Sequence, residues 1–103
     1  MLMSKEADIA IQLVADRRGL KPEEVFLPNQ RPRIVSARRT VFTALRMMDW
    51  SFREIARYFG YDHTTVIHHV STANEMETSF ALRVVRYVNA RQEEEAERYG
   101  LDD

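Results

Sequence analysis

Six residues punctuate this chain: Gly19, Pro22, Pro28, Pro32, Gly60 and Gly100. They are its entire complement of glycine and proline, three of each in 103 residues. Each falls where an apolar repeat of helical spacing breaks off. Proline removes a backbone donor and clashes with the preceding turn, while glycine tolerates the left-handed conformation that closes a helix. Nothing between these residues alternates with period two over a useful length. The sequence therefore predicts an all-α fold of about six helices joined by short connections.

The first helix is expected over residues 4–18, with Ile9, Ala10, Leu13 and Val14 as its inner stripe and Gly19 as its stop. Residues 21–26 read as a short helix, because Pro22 suits a first turn and Glu23 and Glu24 complement the helix dipole there. The stretch LPNQRPR, residues 27–33, holds two prolines and reads as a loop. A long helix over 34–48 follows. Ile34, Val41, Leu45 and Met48 form its apolar line, Phe42 lies beside them, and Arg39, Thr43 and Arg46 share another face. Ser51 and Glu54 make an S-x-x-E capping box that opens a two-turn helix ended by Gly60. Its residues Phe52, Ile55, Ala56 and Phe59 face inward, which assigns the aromatics to the core rather than to a base-stacking platform. Asp62 caps the next helix, expected over 63–77 with Val66, Val70 and Ala73 inside. A last helix is expected over 80–98, and residues 92–103 form an acidic, frayed end to what reads as one domain over 1–103.

Charge is distributed unevenly. Residues 31–74 hold seven arginines and three acids, a net of +4 from 7 − 3, and all three histidines. The rest holds eight basic and thirteen acidic residues, a net of −5 from 8 − 13. The chain total of −1 thus hides a basic middle that can meet a polyanion, because salt confines each field to roughly 8–10 Å. There is no cysteine, so thiolate metal sites, thiol nucleophiles and disulfides are excluded. No apolar run approaches the ~20 residues of a membrane span, and the N-terminus lacks a signal core. The expectation is a cytoplasmic protein without membrane association, metal or cofactor. His63 and His68 are five apart and His68 and His69 adjacent, neither being the i, i+4 spacing that puts two imidazoles on one face. No glycine-flanked serine or carboxylate pair suggests an enzyme, and Asp62 beside His63 along the chain is not a triad.

Residues 51–77 read as helix, tight glycine turn, helix, which is the organisation of a helix-turn-helix. In such units the second helix enters the major groove with its N-terminal residues against base edges. Asp62, His63, Thr64 and Thr65 occupy those positions. They are short and polar, and a threonine methyl can meet a thymine methyl.

The segment SFREIARYFGYDHTTVIHH, preceded by RIVSARRTVFTAL, resembles the C-terminal DNA-binding domain of the bacterial replication initiator DnaA, here as a stand-alone protein. The D-H-T-T-V signature with a following histidine is matched by Asp62 to Val66 and His68. The upstream I-V-x-x-R pattern is matched at Ile34, Val35 and Arg38, and the similarity reaches back to VADRRGLKPEEVF. The resemblance implies a Trp-repressor-like helical fold and double-stranded DNA as partner. It implies base contacts from Asp62, His63, Thr64 and Thr65. It places phosphate contacts at Arg38 and His68, with Arg39 beside them. Arg46, Ser51, Arg53 and Arg57 join these as phosphate-contact candidates around the helix-turn-helix. Arg31 or Arg33 would reach the minor groove from the loop. The phosphate-loop motif G-x-x-x-x-G-K-[ST] does not occur, so ATP-driven unwinding is not expected of this sequence.

The expected function is sequence-specific duplex binding at DnaA-box-like sites by a nucleoid-associated monomer or weak dimer. It would regulate replication initiation or transcription. The alternative is a protein-interaction module that has lost DNA binding and docks the replication initiator or another factor through its first or last helix.

Overall fold

The computed structural model describes residues 5–99, and these form six helices. They are α1 (Lys5–Arg18), α2 (Pro22–Phe26), α3 (Pro32–Met47), α4 (Phe52–Phe59), α5 (His63–Ser71) and α6 (Glu75–Tyr99), with no strand among the described residues. The expectations for residues 1–4 and 100–103 lie outside the described residues. No described helix is long and apolar enough to cross a membrane.

The middle helix, α3, is buried around most of its circumference. Ile34, Ala37, Val41, Phe42, Ala44 and Leu45 all lie in the core. Thr40 and Thr43 are buried too, and their hydroxyls are satisfied by donating to carbonyls one turn back, at Ser36 (2.9 Å) and Arg39 (2.8 Å). Against α3 stands an aromatic cluster: Phe42 and Phe59 have ring centroids 5.0 Å apart, and Phe26 stacks on Phe59 at 4.8 Å. Truncating Phe42 to alanine is expected to cost about 3–5 kcal/mol. Two polar ties fasten α1 to the helix-turn-helix. Trp50 Nε1 donates to Glu6, and Tyr58 Oη donates to Asp8, each at 2.9 Å.

Two boundaries differ from the sequence expectation. Helix α3 begins at Pro32, not at residue 34, because proline at the first helical position gives up only an amide that would have no partner there. Arg33 therefore sits in a first helical turn rather than in the loop. The larger difference is that the helix expected over 63–77 stops at Ser71, with Thr72 as its C-cap, and α6 starts at Glu75. Asn74 and Glu77 cause the break. The Asn74 side chain accepts the Glu77 N–H (2.8 Å), and the Glu77 carboxylate accepts the Asn74 N–H (2.9 Å). This reciprocal box fixes a new helix start and turns the chain away from α5. Residues 92–99 continue α6 as helix, and Glu95 accepts from Lys5 Nζ at 2.9 Å.

Candidate nucleic-acid interface

The helix-turn-helix is built by three local devices. The Ser51 hydroxyl accepts the Glu54 N–H (3.0 Å) and the Glu54 carboxylate accepts the Ser51 N–H (2.7 Å), which starts α4. Gly60 closes it at φ 76°, a conformation that costs an L-residue about 1–2 kcal/mol. Asp62 then caps α5 by accepting the Thr64 N–H (3.4 Å). His63 Nδ1 lies 3.5 Å from Asp62 Oδ1, an ion pair whenever the imidazole is protonated.

Only Val66 of α5 is fully buried. Val70 and His69 are half-buried beside it, and on the outer side Thr64, Thr65, Ile67 and His68 stand exposed and His63 half-exposed. An open groove of about 560 Å³ runs beside the helix, lined on the α5 side by Asp62, Thr65, His68 and His69. Pro28, Gln30, Val35, Arg38 and Arg39 line the opposite side. The structure thus gathers five of the sequence candidates, Asp62, Thr65, His68, Arg38 and Arg39, around one concavity. His63 and Thr64 lie just outside it, on the first turn of α5.

Arg38 corrects the sequence reading. The side chain is 2% exposed, which rules it out as an open phosphate contact. Its Nε donates to the Val25 carbonyl (2.9 Å), Nη1 to the Asn29 carbonyl (3.3 Å), and Nη2 to the Leu27 carbonyl. The guanidinium also lies 5.5 Å from the centre of the Tyr61 ring. Burial pushes its pKa down from the ordinary arginine value. The physical reason for the change of role is position: Arg38 lies toward the apolar stripe, and the backbone of residues 25–29 supplies three carbonyls that need donors there. Arg38 shapes the back wall of the groove, and its neighbour faces the opening.

Arg39 is half-buried at the groove rim. Its Nη1 meets Glu77 Oε2 at 3.2 Å, and its buried Nε has no partner among the described residues. Glu77 also accepts the Ser36 hydroxyl at 2.6 Å. Burial acts to raise the Glu77 pKa. The Ser36 and Asn74 hydrogen bonds and the Arg39 charge outweigh it, and the carboxyl is held below its ordinary value.

The remaining candidates occupy other places. Arg46 is exposed, donates to the Trp50 carbonyl (3.1 Å) and covers the Phe52 ring at 4.7 Å, at the start of α4 where Ser51 and Arg53 also lie. Arg57 is exposed farther along α4. Arg31 is exposed as the N-cap of α3, its N–H held by Asn29 Oδ1 at 2.9 Å, and Arg33 is exposed one position into the helix.

Sequence reasoning missed two members. His69 Nδ1–H donates to the Thr65 carbonyl (2.9 Å) and the ring packs 5.4 Å from that of Phe42; desolvation lowers its pKa, the Thr65 hydrogen bond opposes this, and the nearby arginines lower it further. Glu77 organises Arg39, and its signal was present as N-x-x-E at Asn74, read there as helix interior.

Comparison with known proteins places this geometry. The profile described as the bacterial dnaA protein helix-turn-helix matches residues 7–72. The chromosomal replication initiator protein DnaA of Campylobacter concisus (strain 13826) is 33% identical over 84 residues, covering 77% of this chain and 19% of that protein. The chain thus spans about a fifth of the length of that relative. The capped α4, the Gly60 turn and the exposed first turn of α5 all fall within the matched region, and the chain belongs to the bacterial DnaA family of helix-turn-helix DNA-binding domains.

Proposed function

We propose that this chain reads DnaA-box-like duplex sites, with the first turn of α5 in the major groove. The observation that carries the reading is the Asp62-capped start of α5: Val66, Val70 and His69 hold the helix to the core while Thr64, Thr65 and His68 face solvent. Asp62, His63, Thr64 and Thr65 supply donors, acceptors and methyls for base edges. Arg39, His68, Arg46, Ser51, Arg53 and Arg57 hold phosphates, and Arg31 or Arg33 enters the minor groove. The role is regulation of replication initiation or transcription, at the nucleoid, by a monomer or weak dimer.

Selection of bound fragments from random duplex DNA tests this reading. A recovered motif supports it, and absence of enrichment sinks it. With four to six phosphates neutralised, log affinity against log salt should fall with a slope of about −4 to −5.

A second reading has its own observation. A groove between α1 and α6 is lined by Asp8, Ile9, Gln12, Leu13, Asp16, Tyr87 and Arg91, on the two helices an interaction module would use. That reading expects no salt-sensitive DNA binding and a stable complex with the replication initiator or another factor in pull-down.

A further inference from the structure

The groove beside α5 does not end the basic surface. From Arg39 a line of contacts leads away from the recognition helix. Arg39 pairs with Glu77 at 3.2 Å, Glu77 accepts from Ser36 at 2.6 Å, and the Ser36 hydroxyl also accepts from Arg18 Nη2 at 3.4 Å. Arg18, in the last turn of α1, lies 5.6 Å from the centre of the Phe80 ring. Arg83 lies at the same distance from that ring, so the two guanidinium carbons are at most twice 5.6 Å apart.

Phe80 is 7% exposed and fixed in the core, so both cations are braced by a rigid ring rather than left on free stems. The buried Glu77 carboxylate is the only acid in this line and is already shared by Arg39, Ser36 and Asn74. Beyond it, α6 carries Arg83 and Arg86 and no acid from residue 78 to residue 92. Arg17 precedes Arg18, and Arg33 stands one turn before Ser36 on α3. Arginine guanidinium groups pre-oriented in this way suit phosphate oxygens.

We infer that Arg18 and Arg83 form an auxiliary phosphate clamp that holds duplex DNA flanking the site read by α5. The bound duplex runs from α5 past Arg39 to the corner where α1 meets α6. Continuity with the recognition face and the sign of the charge select a DNA backbone as occupant. A duplex presents a charge for every ~1.7 Å of axis, counting both strands, so each of the two guanidinium groups has a phosphate within reach. This inference rests on the DNA-binding reading above and extends its footprint.

The test uses the full chain and three duplexes: the selected core site alone, and that site extended by roughly one helical turn, about ten base pairs, on one side or the other. One of the two extensions should bind wild type roughly tenfold more tightly than the core duplex. Arg18→Ala with Arg83→Ala should abolish that gain, leave core affinity unchanged, and reduce the salt slope on the extended duplex by about 2. Arg83→Lys should retain most of the gain, and Arg83→Glu should lose more than Arg83→Ala. Arg83 is exposed, so this single-site series stays readable even if Arg18→Ala lowers the melting temperature. If neither extension improves binding, or the variants keep the gain, the clamp is overturned while core binding still stands. If wild type binds no duplex in a salt-sensitive way, both readings fall together.

Discussion

The two ends of α6 show how differently one side-chain chemistry is used in this molecule. At the first end, the Glu77 carboxylate is buried and satisfied by Ser36, Asn74 and Arg39, and it sets a cation at the rim of the recognition groove. At the other end, Glu93, Glu94 and Glu97 face solvent, and Glu95 pairs with Lys5 near Arg91 and Arg98. Glu77 and Glu94 are 17 positions apart, or about 26 Å at 1.5 Å per residue. That exceeds the ~8–10 Å over which salt lets exposed charges act. The acidic end therefore does not cancel the basic face of the same molecule, and a net charge of −1 is no argument against DNA binding.

The largest expected effect comes from dismantling the recognition end at Arg38. Arg38→Ala removes donors from three carbonyls and should cost about 3 kcal/mol of stability. For a domain of this size that is a fall in melting temperature of more than about 10 °C, measurable by circular dichroism. Arg38→Lys should rescue little, since one ammonium cannot reproduce the three directions of the fork. A variant that melts normally but binds DNA poorly would return Arg38 to the role of a phosphate contact.

Next come the residues proposed to read bases. His63→Ala or Thr64→Ala should cost about 1–3 kcal/mol on the selected site and much less on random duplex. Arg39→Ala should instead weaken both about equally. Equal losses for all three variants in a binding titration would show that α5 does not discriminate bases.

A smaller effect separates the two kinds of carboxylate. Glu77→Gln weakens the box that starts α6 and should cost about 1–2 kcal/mol at neutral pH. Because the Glu77 pKa is held below its unfolded value near 4.5, its contribution is present above that value and lost as pH falls through the folded pKa. Melting curves for wild type and Glu77→Gln should therefore begin to converge as pH falls below 4.5 and meet only once pH is below the folded pKa. His69 acts in a higher window. Its folded pKa lies below the ordinary value of 6.5, so the unfolded chain takes up the proton first and stability declines as pH drops below 6.5. His69→Gln should flatten that decline.

The smallest effect is expected at the far end. Replacing Glu93, Glu94 and Glu97 together by glutamine should change DNA affinity by less than about 0.3 kcal/mol at physiological salt. A large gain in affinity would mean that the acidic end reaches a recognition face after all, in another molecule.

Much of this was legible in the sequence because its signals are local. Ser51 with Glu54, Gly60, and Asp62 before a β-branched anchor act within a few residues, and each placed its helix end correctly. The readings that failed turned on partners beyond the neighbouring residues or on a local signal that competed with an apolar repeat. The resemblance placed Arg38 on a phosphate, whereas the fold brings the carbonyls of Val25, Leu27 and Asn29 within its reach. Asn74 and Glu77 carry a local box, but the apolar repeat through Val70 and Ala73 outweighed it in a reading based on periodicity. No pattern in the sequence could assign Glu77 to Arg39, because that pairing spans 38 residues and exists only once α6 has folded back along α3.

Arg38 leaves one further consequence. By gripping the backbone at residues 25, 27 and 29 from within, it settles the shape of the segment leading to Arg31 and Arg33 before any ligand arrives. If this segment meets a duplex as proposed, a pliable form of it would have to become ordered there and would surrender affinity in doing so. Here the segment is held from the start, so association should resemble the meeting of two finished surfaces, with helix content unchanged when DNA is added.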